Sequence, residues 1–207
     1  MNSGRRDQAA LRISIIGSIA AAFLIAGCID LAPQHDPTRI FVLTAPAMGN
    51  APRGDGVLKL GIKRIELPEY LMNPKMVVRK DGFEIVHSDF HRWGEDLDMA
   101  IGRIVGNHLL KRNFINSVST IPWSEKIDHD FEIRIQIDRF EGVGSSAARL
   151  EARWTIRSVA SGEFVRTGYT SASRDWDGSD YLALTSALSD TLGTLAGEIA
   201  GGLPTAP

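Results

Sequence analysis

Two histidines are the first candidates for chemistry in this sequence, because imidazoles four residues apart can share a metal ion when both lie on one face of a helix. His87 and His91 have that spacing. The surrounding pattern predicts, however, that His87 closes a strand and that His91 begins a helix, and no third ligand follows at a spacing typical of a zinc site. We therefore predict no metal site and no metal cofactor.

The remaining polar groups that attract attention have structural explanations. His108 lies on the apolar side of a predicted helix, where a satisfied, partly buried histidine is expected. Glu95, Asp96 and Asp98 stand at the start of the same helix, where carboxylates complement the helix dipole. The sequence has no Gly-x-Ser-x-Gly elbow and no phosphate-binding glycine loop. These features predict a protein that is not an enzyme and has no catalytic residues.

The single cysteine, Cys28, has the surroundings of a lipid attachment site. Three arginines precede an apolar run from Ile13 to Ala26, which is shorter than the roughly 20 residues of a membrane-spanning helix. Leu24-Ile25-Ala26-Gly27-Cys28 resembles the bacterial lipobox, in which the cysteine is acylated and becomes the first residue of the mature protein. The alternative is a buried free cysteine. We expect residues 1–27 to be a lipoprotein signal peptide and the lipid on Cys28 to be the only bound group.

The chain after Cys28 is expected to be one domain on a tether. Residues 28–38 contain Pro33 and Pro37 without periodicity, which predicts an extended lipidated N-terminus, and residues 39–203 are predicted to form a single α+β domain. The whole chain carries 23 Lys and Arg residues against 25 Asp and Glu residues. This balance gives no indication of a nucleic-acid partner.

Alternating apolar residues predict the strands. A short first strand is expected at 40–43, a second from Val57, and a hairpin over 76–86, where Asp81-Gly82 suits a type I′ turn. A strand is also possible at 115–121. Apolar and polar residues alternate regularly at 131–138 and at 149–157, and a third strand is expected at 164–171. This pattern predicts a three-stranded antiparallel meander with one solvent-exposed face.

Helical periodicity predicts two principal helices. The first carries Leu97, Ile101, Ile104, Val105 and Leu109 on one side, and its Gly102 and Gly106 indicate close approach to a sheet. The second runs from Tyr181 to Ile199 behind an N-cap at Ser179 or Asp180. Its offsets also fit a heptad seam, so packing on a sheet and coiling with a partner are both open. We predict an α+β fold with a largely antiparallel sheet, both helices on one face, and a charged opposite face.

Among the four tryptophans, Trp176 is the candidate for partner binding. It lies in Arg174-Asp175-Trp176-Asp177-Gly178, a polar stretch that predicts a position near the surface. Exposed tryptophans often anchor protein partners. The other three are interpreted as packing residues.

The order of motifs resembles the PqiC/YmbA lipoproteins, also called ABC-type transport auxiliary lipoproteins. The resemblance rests on the lipobox, Phe41-Val42-Leu43, Leu67-Pro68-Glu69-Tyr70-Leu71, His91-Arg92-Trp93 and the helix that begins at Tyr181. It extends from Phe41 to Ile199. One departure is Phe41, where the family pattern usually has tyrosine.

The resemblance implies a non-enzymatic lipoprotein on the periplasmic face of the outer membrane. Such a protein works with an MCE-domain protein (PqiB-like) of an ABC-type transporter to move lipids or other hydrophobic molecules and so supports envelope integrity. Ile29 directly after the cysteine agrees with outer-membrane sorting. Because MCE proteins form rings, a homo-oligomeric ring of this chain is a further expectation. The alternative function is regulation of a cell-wall synthase.

Overall fold

A mixed sheet of eight strands forms the framework of the described residues, which in this computed structural model are 36–45, 56–123 and 127–204. Two α-helices pack against it, and residues from Pro37 onward form one compact unit. In chain order the elements are β1 (Arg39–Phe41), β2 (Leu58–Ile62), β3 (Lys75–Lys80), β4 (Glu84–Trp93), α1 (Leu97–Leu109), β5 (Ile115–Thr120), β6 (Phe131–Val143), β7 (Ala147–Ser158), β8 (Phe164–Asp175) and α2 (Tyr181–Gly202).

The predicted signal peptide, Cys28 and most of the tether lie outside the described residues and stay predictions. Among the residues that are described, no helix combines the length and the hydropathy needed to cross a bilayer.

Strand β6 is the centre of the sheet because three other strands pair with it. Its first half lies parallel to β2, with Ile133 opposite Ile62, and its last residues lie parallel to β3, with Gly142 opposite Val78. The other edge of β6 pairs antiparallel with β7 along its whole length, and β7 pairs in turn with β8. The predicted meander is confirmed.

The predicted hairpin is also confirmed. Strands β3 and β4 are antiparallel neighbours, and Asp81 and Gly82 have φ angles of 47° and 78° at the turn between them. A type I′ turn needs positive φ at both central positions, which the Asp-Gly pair tolerates. The fold class is likewise confirmed, since the long ladders are antiparallel. The structure adds parallel pairs that the pattern does not predict: β1 with β4, β2 with β5 and with β6, and β3 with β6.

Both helices cover the same side of the sheet and contact each other, with α2 on β7 and β8 and α1 on β5. The residues predicted for the apolar stripe of α1 are buried, and Asp180 caps α2 by accepting a hydrogen bond from the Leu182 N–H. Gly106 allows the expected close approach, because a Cβ there would lie 3.3 Å from Cγ1 of Val118. Packing on the sheet, rather than a coiled coil, accounts for the stripe of α2.

The opposite face of the sheet is charged, as predicted. Oppositely charged side chains pair across neighbouring strands, including Arg153 with Asp138 at 2.6 Å and Lys63 with Glu132 at 3.0 Å. Exposed pairs of this kind contribute little free energy each, typically below about 1 kcal/mol. Stability therefore comes mainly from the apolar layer between sheet and helices.

The two faces of α2 give a direct test of that layer. Leu188 is buried in the core, whereas Leu182 of the same helix is 60% exposed. Replacing Leu188 by alanine should lower the free energy of unfolding by about 2–5 kcal/mol, because it leaves a cavity. The matched Leu182→Ala variant should stay within about 0.5 kcal/mol of the parent in urea unfolding. Equal losses in the two variants would show that the helix faces are assigned wrongly.

Candidate functional site

An open cleft of about 910 Å³ lies between the segment that follows β2 and the corner that joins β4 to α1. Its volume falls within the range of ligand and partner pockets, which hold roughly 300–1,000 Å³. Buried apolar side chains form its floor: Ile65, Leu71, Trp93 and Leu97. Met72, which is 68% exposed, stands at its lip.

The wall of the cleft follows from the backbone of residues 63–67. This segment continues β2 alongside β6 through three hydrogen bonds, from the Lys63 N–H to the Ile133 oxygen, from the Glu66 N–H to the Ile135 oxygen, and from the Ile137 N–H back to the Glu66 oxygen. Pro68 then has no N–H to donate, so the ladder ends and a 3₁₀ turn forms at Glu69–Leu71. The turn places Leu71 in the floor and Tyr70 on the charged face of the sheet.

Tyr70 fixes this turn to the sheet through a buried carboxylate. Its hydroxyl donates to Oε2 of Glu141 at 2.6 Å, and the Nε atoms of Arg79 and Arg139 donate to Oε1 of the same residue at 2.5 and 3.0 Å. The Glu141 side chain has no exposed surface. Burial, and then the Glu141 carboxylate, raise the pKa of Tyr70. The phenol therefore stays a donor at physiological pH.

Most charges on the rim of the cleft are already paired. Nε of Arg64 lies 2.8 Å from Oδ2 of Asp98, Glu95 pairs with Arg103, and Lys63 pairs with Glu132 outside the cleft. The side chains of Glu66, Asp96 and Arg134 make no hydrogen bond or ion pair with the described residues. A rim in which charges neutralise each other gives little attraction for a highly charged small molecule, so the apolar floor is the main binding feature.

The polar residues of the cleft are basic and acidic side chains and one asparagine. No serine, cysteine or histidine is among the residues that line it. No cluster of three or more metal-ligating side chains occurs within the described ranges. Glu95, Asp96 and Asp98 lie on the rim, with Asp96 at the N-cap of α1 and Asp98 in its first turn, which agrees with their predicted role beside the helix dipole.

The structure corrects the interpretation of the histidines. His87 and His91 both lie in β4, because this strand continues to Trp93 instead of ending at His87. His87 contacts the Tyr70 carbonyl oxygen through Nε2 at 3.0 Å. His91 contacts the Ser88 hydroxyl through Nδ1 at 2.7 Å and stacks on Tyr181 with ring centroids 3.8 Å apart. The two imidazoles thus have separate partners.

The prediction that His108 is a satisfied histidine is wrong in one respect. Its ring is partly buried in α1, as expected, but Nε2 has no hydrogen-bond partner among the described residues. Burial and then the charges of Lys111 and Arg112 lower its pKa, which favours the neutral imidazole. A neutral ring packed against Gly193 of α2 is the consequence.

The expectation that Trp176 lies near the surface is also wrong. The side chain is only 5% exposed, and its Nε1 donates to the Asp180 carbonyl oxygen at 2.9 Å. The ring covers Gly142 of β6, where a Cβ would come within 2.6 Å of it. These contacts give Trp176 a packing role at the start of α2. Its role as a partner anchor stays a prediction, and this burial weakens it.

Sequence comparison matches a family model described as "ABC-type transport auxiliary lipoprotein component" to residues 41–200. No curated protein matches the chain. The fold is similar to that of protein XCC0632 from Xanthomonas campestris, of family DUF330, with a TM-score of 0.67 and 18% identity over 79% of this chain and 93% of that one. An uncharacterised protein has a TM-score of 0.65 and 13% identity over 79% of this chain and 97% of its own.

The attachment of the 3₁₀ turn to the sheet can be tested at Tyr70. A Tyr70→Phe variant removes the hydrogen bond to buried Glu141 and should lower the free energy of unfolding by about 1–3 kcal/mol. Tyr169→Phe is the control, because Tyr169 is an exposed tyrosine on β8 and should change stability by less than about 0.5 kcal/mol. If urea unfolding gives the same midpoint for Tyr70→Phe and the parent, Tyr70 does not hold the turn in place.

Proposed function

Since this chain belongs to the family of ABC-type transport auxiliary lipoprotein components, we propose that it is a lipid-anchored, non-enzymatic part of an MCE-type system that moves lipids or other hydrophobic molecules. The family assignment confirms the resemblance seen in the sequence. In this proposal the domain stands on the periplasmic face of the outer membrane, held by a lipid on Cys28, and docks with an MCE-domain protein. Its contribution is to support envelope integrity.

The observation that carries the proposal is the extent of the family match. Residues 41–200 include β2 to β8, all of α1 and nearly all of α2, so the family likeness concerns the complete fold and not a short motif. The resemblance to the PqiC/YmbA proteins rests in part on Leu67-Pro68-Glu69-Tyr70-Leu71, and this segment contributes Leu67 and Leu71 to the lining of the cleft. The motif behind the resemblance therefore lies beside the candidate site.

We place the contact with the MCE-domain protein at the cleft. An apolar centre bordered by polar and charged groups is the usual make-up of a protein interface. The floor residues supply the apolar centre, and the paired charges of Arg64, Asp98 and Glu95 supply the border. The exposed Met72 at the lip suits such a surface, because methionine adapts its shape to a partner at low cost.

Self-association into a ring is a further part of the proposal. The strand order leaves β1, β5 and β8 as outer strands, and none of them has a second partner strand within the described ranges. Exposed strand edges favour pairing with another chain, and a closed ring covers such edges.

The anchor is tested at Cys28. A Cys28→Ser variant cannot be acylated, so it should fail to incorporate radioactive palmitate and should leave the membrane fraction of fractionated cells. The parent chain is the control. If the variant is labelled as strongly as the parent, Cys28 is not the lipid attachment site.

The partner is tested by site-specific photocrosslinking in intact cells. A photoreactive amino acid at Met72 should capture an MCE-domain protein, identified by mass spectrometry, because this side chain stands at the lip of the cleft. The control position is Phe164, which is 71% exposed at the start of β8 and is not among the residues that line the cleft.

Three other results would contradict parts of this proposal. Capture of an MCE-domain protein from Phe164 but not from Met72 would leave the transport role and move the docking surface. Capture of a peptidoglycan synthase as the main partner would replace transport by the regulation of a cell-wall synthase. Capture of neither protein from either position would remove the proposed partner.

A further inference from the structure

The first strand exposes apolar side chains on the side that faces away from the core. Phe41 and Leu43 are buried, whereas Ile40 is 71% exposed and Val42 is 50% exposed. This alternation separates two faces of β1 and of the residues that follow it. Large aliphatic side chains with this much exposure, at the beginning of a domain, are candidates for contact with a partner or a membrane.

The neighbouring strand β4 extends the same surface. In the parallel register Ile40 lies opposite Arg92, and both are exposed, while their neighbours Phe41 and Trp93 are both buried. Phe90, two residues before Arg92, is 52% exposed. A Cβ at Gly94 would lie 2.9 Å from Ile40 and 3.1 Å from Val42, so these two side chains border the residue that directly follows β4. We call Ile40, Val42, Phe90 and Arg92 the β1–β4 surface.

The charge on this surface is positive. The side chain of Arg92 makes no hydrogen bond or ion pair within the described residues, so its guanidinium is available to a ligand. The nearest acidic residue in the sequence of the same strand, Asp89, is paired with Lys75 at 3.1 Å. The chain as a whole has a net charge of −2, so this is a local feature and not a property of the entire surface. Apolar side chains beside a free arginine match the boundary between acyl chains and anionic headgroups.

The position of the surface along the chain favours a membrane as its occupant. Arg39 is eleven residues after Cys28, and eleven residues span roughly 40 Å at most when fully extended. A bilayer that holds the acylated Cys28 is therefore always within reach of the β1–β4 surface. Tethering of this kind keeps the effective concentration of the membrane surface around the domain high, so weak contacts suffice to dock the domain on it.

We propose that the β1–β4 surface docks on the lipid bilayer that holds the anchor and binds its anionic phospholipid headgroups. Ile40, Val42 and Phe90 enter the interface, and Arg92 contacts a lipid phosphate. The inference rests on the proposed lipid anchor at Cys28 and adds a second contact that orients the domain on the membrane. It does not depend on the identity of the protein partner.

The test uses the full lipidated chain reconstituted in vesicles of phosphatidylcholine and phosphatidylglycerol. Acylated Cys28 leaves no free thiol, so Ile40→Cys, Phe90→Cys and Phe164→Cys variants can each be labelled at one site with an environment-sensitive fluorophore. Ile40 and Phe164 are equally exposed, at 71%, which makes position 164 a matched control. The fluorescence emission of labels at 40 and 90 should shift to shorter wavelength and be quenched by doxyl-labelled lipid. The emission of the label at 164 should show neither change.

The charge contribution is measured in the Ile40→Cys background. Adding Arg92→Ala should lower the ratio of quenched to unquenched label about fivefold, because one basic residue near an anionic membrane strengthens binding by about that factor. Vesicles of pure phosphatidylcholine should give the lower ratio with or without Arg92. An unchanged ratio in both comparisons would overturn the assignment of anionic headgroups.

Other outcomes would overturn the membrane contact itself. Equal quenching at positions 40 and 164, or none at 40, would show that the surface does not dock. A blue shift at 40 without quenching by lipid would show that a protein, such as a second copy of the chain, covers the surface. Failure of the anchor is recognised separately, by loss of palmitate labelling, and failure of the transport role by the crosslinking at Met72.

Discussion

The structure depends on satisfying one buried carboxylate. Glu141 lies on the charged side of the sheet, yet it has no exposed surface, because Tyr70, Arg79 and Arg139 all bind it. An unpaired charge in such a position would cost several kcal/mol, so the three partners must converge. Tyr70 brings the 3₁₀ turn with it, and the turn places Leu71 in the floor of the cleft. The neutralisation of a charge in β6 therefore also positions one part of the cleft.

Local patterns in the sequence predict most of the elements. The hairpin, the meander, both helices and the cap at Asp180 follow from period and turn chemistry, which act over a few residues. The parallel pairings of β6 with β2 and β3 do not, because they join segments far apart in the chain. Strand β4 also continues to Trp93, beyond its predicted end at His87. The register with β3 shifts between Lys75 and Val77, and this irregularity breaks the alternation that would otherwise identify a strand reaching Trp93.

The candidate site could not be predicted from the sequence for a related reason. Its floor consists of Ile65, Leu71, Trp93 and Leu97, each of which looks like an ordinary core residue. It is the fold that leaves the edge of the core formed by these four residues open to the cleft. At Trp176 the polar neighbours predict exposure, yet the side chain is buried. Gly142, 34 positions earlier, provides the space that buries the ring, and no local pattern reports such a pairing.

The cleft and the β1–β4 surface are neighbours in the molecule. Gly94 lines the cleft, and the same residue lies against the side chains of Ile40 and Val42. A domain docked on the bilayer through the β1–β4 surface would therefore hold the cleft beside the lipid headgroups instead of at the far end of the molecule. A partner bound in the cleft would then meet the membrane at the point where a hydrophobic molecule has to leave or enter it. The distance that such cargo crosses through water is shortest in this arrangement, which gives a physical reason for a transport auxiliary to have both a lipid anchor and a second membrane contact.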